Sequence, residues 1–239
     1  MKKIVKILLI IICILLVAVV GLAIYAYEQN GTANVMKGEH NILLLTADPS
    51  EKRPGMGAVD MAYAIHVTDG NVDNLTPIYP GFLKHPTEIE PAAANAGKVN
   101  MYLHDTLWYE DTQKGAKLAQ ETVEYNTGIK TDAVVIVTPD AVQALLNSIS
   151  PIDVPGYTGN GPNAAVQFIR DMTERKDSTM SRGTAVELLM KPIINASKDP
   201  KKAPGLFQAL LEQYSKGNIV VIPHSLMGQF AISKGLKLL

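Results

Sequence analysis

Asn41-Ile42-Leu43-Leu44-Leu45-Thr46-Ala47-Asp48-Pro49 is the stretch that decides the fold. Four aliphatic residues in a row, stopped by Asp-Pro, show neither the alternation of a half-exposed strand nor the spacing of a surface helix, so the segment reads as a strand buried on both faces. Downstream, Met61 to Val67 and Val72 to Tyr79 flank Thr68-Asp69-Gly70-Asn71, the composition of a hairpin. Within Asp111 to Tyr125 the residues Ala116, Ala119 and Val123 share one helical face, and Gly128 follows as the stop. Ala133 to Val137 reads as another buried strand. Thr138-Pro139 then opens a helix with a hydroxyl cap and a first-turn proline, and Val142, Leu145, Leu146 and Ile149 recur at helical spacing. Residues 151–163 hold three Pro and three Gly and read as a loop. Helical patterns resume at Ala164 to Glu174, at Ser181 to Asn195 with an expected break at Pro192, and at Pro204 to Lys216, before a last strand at Ile219 to Ile222. Strands alternating with helices predict an α/β fold with a mixed central sheet flanked by helices.

The chain has 239 residues, 47% hydrophobic and 19% charged. One Cys and 18 Gly exclude a disulfide scaffold and a collagen-like repeat, and 22 basic against 23 acidic side chains leave no cationic field for nucleic acid. Ile7 to Ala26 is an uncharged run of 20 residues preceded by Lys2, Lys3 and Lys6. Twenty helical residues cross a hydrocarbon core, and lysines on the N-terminal side alone put that end in the cytoplasm. A cleaved signal fits less well, because the run exceeds the usual apolar region and Ile24 spoils a small-x-small site before Ala26. A buried core helix would carry a polar face, and this run has none. The expected organisation is a cytoplasmic tail at 1–6, a transmembrane anchor at 7–26, a polar linker at 27–38 and an extracytoplasmic α/β domain at 39–239. That is a single-pass protein of the cell membrane.

Walker A, G-x-S-x-G, H-E-x-x-H and C-x-x-C signatures are absent. What remains is carboxylates at strand ends. Asp48 follows the first strand and Asp60 opens the second. On adjacent strands the two converge on one edge, where paired carboxylates attract a hard cation such as Mg²⁺. The local alternative is that Asp48 forms a turn before Pro49 and Asp60 caps a loop. Arginine is scarce, with 18 Lys but four Arg, at 53, 170, 175 and 182. Guanidinium forks suit phosphate, while the neighbouring Asp171, Glu174 and Asp177 suit a solvated face of ion pairs. His66 sits mid-strand and reads as structural. Lys98-Val-Asn-Met-Tyr-Leu-His104-Asp105 reads as pocket lining or as a helix cap.

The order of these motifs resembles an uncharacterised family, domain of unknown function 4012, as found in methanogenic archaea. The strings Asp48-Pro-Ser-Glu-Lys-Arg53-Pro-Gly-Met-Gly-Ala-Val-Asp60 and Glu124-Tyr-Asn-Thr-Gly128-Ile-Lys-Thr-Asp132 carry the likeness, which spans about residues 36–235. That family implies no reaction. More distantly, the chain is similar to the LytR-CpsA-Psr family, membrane-anchored phosphotransferases that move glycopolymers from a polyprenyl-pyrophosphate carrier onto cell-wall polymers. The resemblance implies Asp48 and Asp60 as Mg²⁺ ligands, and Arg170, Asp177 and Arg182 as a catalytic series. It also implies Arg53, Lys98 and Asn100 as substrate-binding residues, with Lys98 and Asn100 matching a Lys-x-Asn motif and Arg53 falling several residues late. The chain departs at Ile78-Tyr79-Pro80-Gly81-Phe82, where that family has Ile-Pro-Arg-Asp. Losing a cation that neutralises a pyrophosphate costs several kcal/mol of transition-state stabilisation. Lys84 and His85 are the nearest replacements, without the fork or the standing charge.

The expectation is a membrane-anchored extracytoplasmic protein that handles a phosphorylated, lipid-linked cell-envelope precursor, a polyprenyl phosphate or pyrophosphate-linked glycan, as a Mg²⁺-dependent phosphotransferase. The alternative is a noncatalytic binding or scaffolding domain of the same fold whose site has degenerated at Tyr79 to Phe82.

Overall fold

The computed structural model describes residues 34–95, 98–159, 161, 163–174 and 178–233. The expected tail and anchor lie outside the described residues, among which no helix is long and apolar enough to cross a membrane. The compact unit begins at Val35, which is 6% exposed, so the end of the polar stretch at 27–38 already enters the core.

Strands β1 (Glu39–Asp48), β2 (Ala58–Thr68) and β3 (Asn71–Ile78) come first, and the short pair β4 (Lys84–Ile89) and β5 (Asn100–Tyr102) flanks a one-turn helix, α1 (Ala92–Asn95). Then follow α2 (Thr112–Thr127), β6 (Ala133–Val137), α3 (Pro139–Ser148), α4 (Ala164–Thr173), α5 (Arg182–Lys198), α6 (Ala203–Ser215), β7 (Ile219–Ile222) and α7 (Ser225–Ser233). The main sheet has the order β3-β2-β1-β6-β7, with β1 and β6 parallel and the other pairs antiparallel. It is the mixed central sheet flanked by helices that the pattern predicts, and β1 is its middle strand. Leu43 and Leu45 pack with Ala116, Ala119 and Val123 of α2 on one face. Leu44 joins Leu145 of α3 and Phe207 of α6 on the other.

Local chemistry explains the element ends. Asp111 Oδ1 accepts from Gln113 N and Lys114 N at the start of α2, a cap worth about 1 kcal/mol. Gly128 closes that helix in the left-handed region, its N–H on Glu124 O at 2.9 Å. In the β2–β3 turn Asp69 and Gly70 both have positive φ, the geometry that matches a hairpin's twist.

Two expectations need correction. β2 starts at Ala58, so Asp60 is its third residue, not its first. The helix expected to break at Pro192 runs unbroken to Lys198. Proline forfeits one backbone hydrogen bond, but Leu189 and Ala196 are buried on either side of it and hold both halves to the core.

The loop from Pro49 to Gly57 is pinned to the 3₁₀ segment Leu103–Trp108. Gly55 N bonds Trp108 O at 2.8 Å and Met56 N bonds Leu107 O at 3.2 Å. A Cβ at Gly55 would collide with the carbonyls of Leu107 and Tyr109, so this approach requires glycine. Arg53 reaches across the same gap. Its Nε and Nη2 both meet Asp105 Oδ1, at 2.8 and 2.7 Å, and each side chain is 12% exposed. Asp105 adjoins buried Glu90, whose Oε1 accepts from Tyr102 N at 3.0 Å. Burial raises the Glu90 pKa against the opposing bond from Tyr102, and the charge of Asp105 adds to the rise.

Removing Arg53 leaves the buried Asp105 without its cation and beside Glu90, so Arg53→Ala is expected to lose about 3 kcal/mol of stability, read from the denaturant midpoint at unchanged slope. A loss well under 1 kcal/mol would mean that the pair does not pin the loop. Glu90 gives a separate prediction. Because its pKa is raised on folding, the folded protein holds a proton that the unfolded chain has lost, and stability falls as pH climbs from the ordinary carboxylate value through the raised one. Glu90→Gln, which cannot lose that proton, is expected to match wild type near about pH 4 and to gain on it in melting temperature toward about pH 7. A gap that shrinks with rising pH would contradict this.

Candidate functional site at the end of the central sheet

β1 and β2 pair residue for residue up to Thr46 and Met61, but the next pair is Ala47 and Val59. Asp60 is therefore the extra residue of a β-bulge, a device that turns a side chain out of the regular alternation. Thr46 Oγ1 holds the distorted backbone by accepting from Met61 N at 2.9 Å. Asp48 ends β1 close by, its Oδ1 accepting from Ser50 N at 2.8 Å. β6 runs parallel to β1, so Thr138-Pro139-Asp140 emerges at the same end of the sheet.

Arg182 arrives there from the far side of the sequence. Ser181 caps α5, its Oγ accepting from Thr184 N at 3.1 Å and lying 3.1 Å from Tyr79 Oη. Tyr63, 1% exposed, donates its hydroxyl to Gly183 O at 3.0 Å. Burial, and then the charges of Tyr79, Glu187 and Asp60, push the Tyr63 pKa far up, so the phenol remains a donor. Held this way, Arg182 Nη1 meets Asp60 Oδ1 at 2.7 Å, with Glu174 Oε1 at 3.5 Å from Nη2. Arg170 on α4 is exposed and has no ion-pair partner among the described residues.

Asp48, Asp60, Arg170 and Arg182 all line one cavity of about 1350 Å³. It lies between one face of the sheet and helices α3 to α7, and its walls are mostly aliphatic: Leu44, Val135, Leu145, Ile169, Leu189 and Leu206 are examples. The first residues of three helices, Pro139, Ala164 and Arg182, also line it, each bringing the positive end of a helix dipole. Against the two arginines stand four carboxylates, Asp48, Glu51, Asp60 and Asp140. An anion entering this mouth meets a fork-shaped donor pair but a negative balance, unless a cation accompanies it.

The other residues implied by the family resemblance are elsewhere. Arg53 is tied to Asp105 and stacks over Trp108 at 5.6 Å from the ring centre, outside the cavity wall. Asn100 spends its amide on the carbonyls of His85 and Pro86 in the small β4–β5 sheet, and Lys98 is exposed and also off the cavity. Asp177 lies outside the described residues. Lys84 and His85 do not replace the missing arginine. Lys84 Nζ sits over Tyr102, and buried His85 takes two backbone N–H groups on Nδ1 and contacts Glu121 through Nε2. His66 is structural as expected, with Nδ1 3.1 Å from Asn41 Oδ1. Sequence reasoning missed Thr138, Asp140 and Glu51 at the mouth, and Tyr63 and Gly183 beneath Arg182. The order strand, Thr138, Pro139, helix was the available signal for the first of these.

Among the described residues no group of three or more His, Cys, Asp or Glu is placed to hold a metal. Asp48 and Asp60 offer a pair of carboxylates, which fits the way Mg²⁺ is held by one or two carboxylates plus phosphate oxygens and water. It does not fit a metal resident without its anion.

Comparison with solved structures places this fold among known ones. Protein gbs0355 from Streptococcus agalactiae aligns over 84% of this chain and 75% of its own, at 14% identity and a TM-score of 0.57. EF0465 from Enterococcus faecalis, described as a transcriptional regulator, aligns over 83% and 72%, at 12% identity and a TM-score of 0.53. The neighbours include LytR-CpsA-Psr proteins, among them Bacillus subtilis TagU over 82% and 81% at 15% identity, with a looser TM-score of 0.49. Identities this low speak for the fold alone. No curated protein sequence matches the chain. The model of one family does match, over residues 37–173, and by that match the chain belongs to the family described as protein of unknown function (DUF4012).

Proposed function

We propose that this domain binds a phosphorylated lipid of the cell envelope, its apolar chain in the cavity and its phosphate at the mouth between Arg170 and Arg182. The observation that carries this reading is the joining of a long aliphatic cavity to a mouth with two arginine forks. Burying an apolar chain yields about 0.8 kcal/mol per methylene, and a guanidinium binds phosphate through paired hydrogen bonds. A soluble sugar phosphate would leave the aliphatic wall unused. The LytR-CpsA-Psr resemblance supports a lipid-linked glycan as the guest, and a membrane-anchored, extracytoplasmic position for the domain.

When Mg²⁺ accompanies the phosphate, it supplies Lewis-acid neutralisation of the phosphoryl oxygens. Asp48 and Asp60 are the side chains that would hold it. Phosphotransfer at this site has an acceptor hydroxyl oxygen bonding to phosphorus as the anhydride P–O bond to the lipid phosphate breaks. The hydroxyl proton passes to a mouth carboxylate, and Arg170 and Arg182 neutralise the departing lipid monophosphate.

A second reading, binding without turnover, is favoured by Tyr79 to Phe82. That turn carries no charge, and Phe82 is 92% exposed. Release of lipid monophosphate from a prenyl-pyrophosphate-linked sugar separates the two readings.

Binding itself is tested by titrating geranylgeranyl phosphate into the full chain. Arg182→Ala is expected to weaken it about tenfold, the value of one charge-assisted contact. Asp60→Asn has opposite expected effects under two conditions. In chelator it frees Arg182 and removes a negative charge, so binding strengthens; with Mg²⁺ present, the enhancement seen in wild type disappears. Equal binding by wild type and both variants in all conditions would contradict the proposed phosphate position.

A further inference from the structure

Of the three helices whose first residues line the cavity, one does not cap itself. Thr138 Oγ1 accepts from Ala141 N at the start of α3, and Ser181 Oγ accepts from Thr184 N at the start of α5. α4 is preceded by Asn163, whose φ of 62° is left-handed and whose side chain caps no first-turn amide. Ala165 N is nonetheless bonded. Gln143 Oε1, on α3, accepts from it at 2.9 Å, so α4 is capped by a side chain of its neighbour.

Gln143 is buried, and both ends of its amide are engaged. Its Nε2 donates to Asn147 Oδ1 at 2.9 Å, one turn along α3, and to Tyr157 Oη at 3.1 Å. A backbone N–H can only donate, so Ala165 fixes which end of the amide faces it. Tyr157 holds α4 a second time, its ring meeting Phe168 edge to face with the centroids 5.8 Å apart. Ala165 and Phe168 are buried in one cluster with Leu146 of α3 and Leu189 of α5. Gln143 itself does not line the cavity, whereas Val166, Gln167 and Arg170, one face of α4 at helical spacing, do.

We propose that Gln143 is a positioning residue for Arg170: by capping α4 from α3 it fixes where that guanidinium stands at the mouth, without touching the ligand. The inference rests on the lipid-phosphate reading above and deepens it by assigning how one of the two arginines is placed. Arg182 has holds of its own, in Asp60 and in the Ser181 and Tyr63 contacts to its turn. Arg170 is exposed and without an ion-pair partner among the described residues, so the position of its helix sets its reach. Ala165 precedes it by five residues, roughly 7.5 Å of helical rise. A buried N–H left without an acceptor is costly, so loss of the cap loosens the first turn and the arginine that follows it.

The test is a pair of double-mutant cycles on the full chain, titrated with geranylgeranyl phosphate in the presence of Mg²⁺. Gln143→Leu removes the cap, and Gln143→Asn draws the acceptor back by one methylene. Each is expected to weaken binding about fivefold. In an Arg170→Ala background the same substitutions are expected to cost less than about twofold more, while in an Arg182→Ala background they keep their full factor. A loss of general stability would not distinguish the two arginines. Amide hydrogen exchange adds a readout that needs no ligand. The Ala165 N–H is expected to lose protection in both variants and to keep it in Gln143→Glu, whose carboxylate still accepts from it, with the β1 amides protected throughout as the sign of a folded protein. The positioning role is overturned if both variants bind like wild type, or if their loss is as large with Arg170 already removed. Failure of wild type to bind the phosphate would overturn the lipid-phosphate reading and this role with it, even with Ala165 protected as expected.

Discussion

The first turn of α5 rests on β2 and β3 at Gly183, and the geometry of the mouth follows from that close approach. A Cβ on Gly183 would stand 3.0 Å from Tyr79 Oη and 3.3 Å from Pro77 Cβ, so a larger residue there requires these neighbours to give by a few tenths of an ångström. Tyr63 fixes the same turn from below through its bond to Gly183 O. The ion pair between Arg182 and Asp60 is a result of this packing, not its cause. With side chains 47% and 44% exposed, it is worth under about 1 kcal/mol, whereas burying a ring the size of Tyr63 is worth about 2 kcal/mol or more. A weak pair set by strong packing suits a binding site, because the arginine can leave its carboxylate for an incoming phosphate at small cost.

The charges at the mouth sharpen this picture. Four carboxylates and two arginines line the cavity, a negative balance that favours the proposed phosphate only when a divalent cation comes with it. The bulge at Asp60 matters here, since a regular register would turn that side chain to the other face of the sheet. The turn at Tyr79 to Phe82 carries no charge, and Tyr79 serves the cap of α5 through Ser181.

Much of the fold was legible because its signals are local. The aliphatic run of β1, the hairpin around Asp69-Gly70, the Asp111 and Gly128 ends of α2, and Thr138-Pro139 before α3 each carry their own physical reason. The small β4–β5 sheet was not legible, since Lys84–Ile89 is mostly polar, contains Pro86, and has three residues of partner strand. α7 lacks charged residues and has Gly228 at its centre, so no amphipathic pattern marks it. In the site, the scarcity of arginine drew attention to Arg170 and Arg182, the family resemblance set them beside Asp48 and Asp60, and all four line one cavity. Scarcity drew attention to Arg53 as well, which the fold ties to Asp105 at 2.7 Å, a partner that residue type does not reveal. The cavity itself was invisible, as Leu44, Leu145 and Leu206 read the same whether they line an empty space or fill a core.

The claim on which the account turns is that one guest occupies both the aliphatic space and the charged mouth. A crystal structure of the protein grown with geranylgeranyl phosphate and Mg²⁺ measures this directly. The account predicts phosphate density within hydrogen-bond distance of Arg170 and Arg182, and a prenyl chain running from there along Leu44 toward Val67. Density for the lipid on the outer surface, or a cavity closed by collapse of α5 onto the sheet, would contradict it.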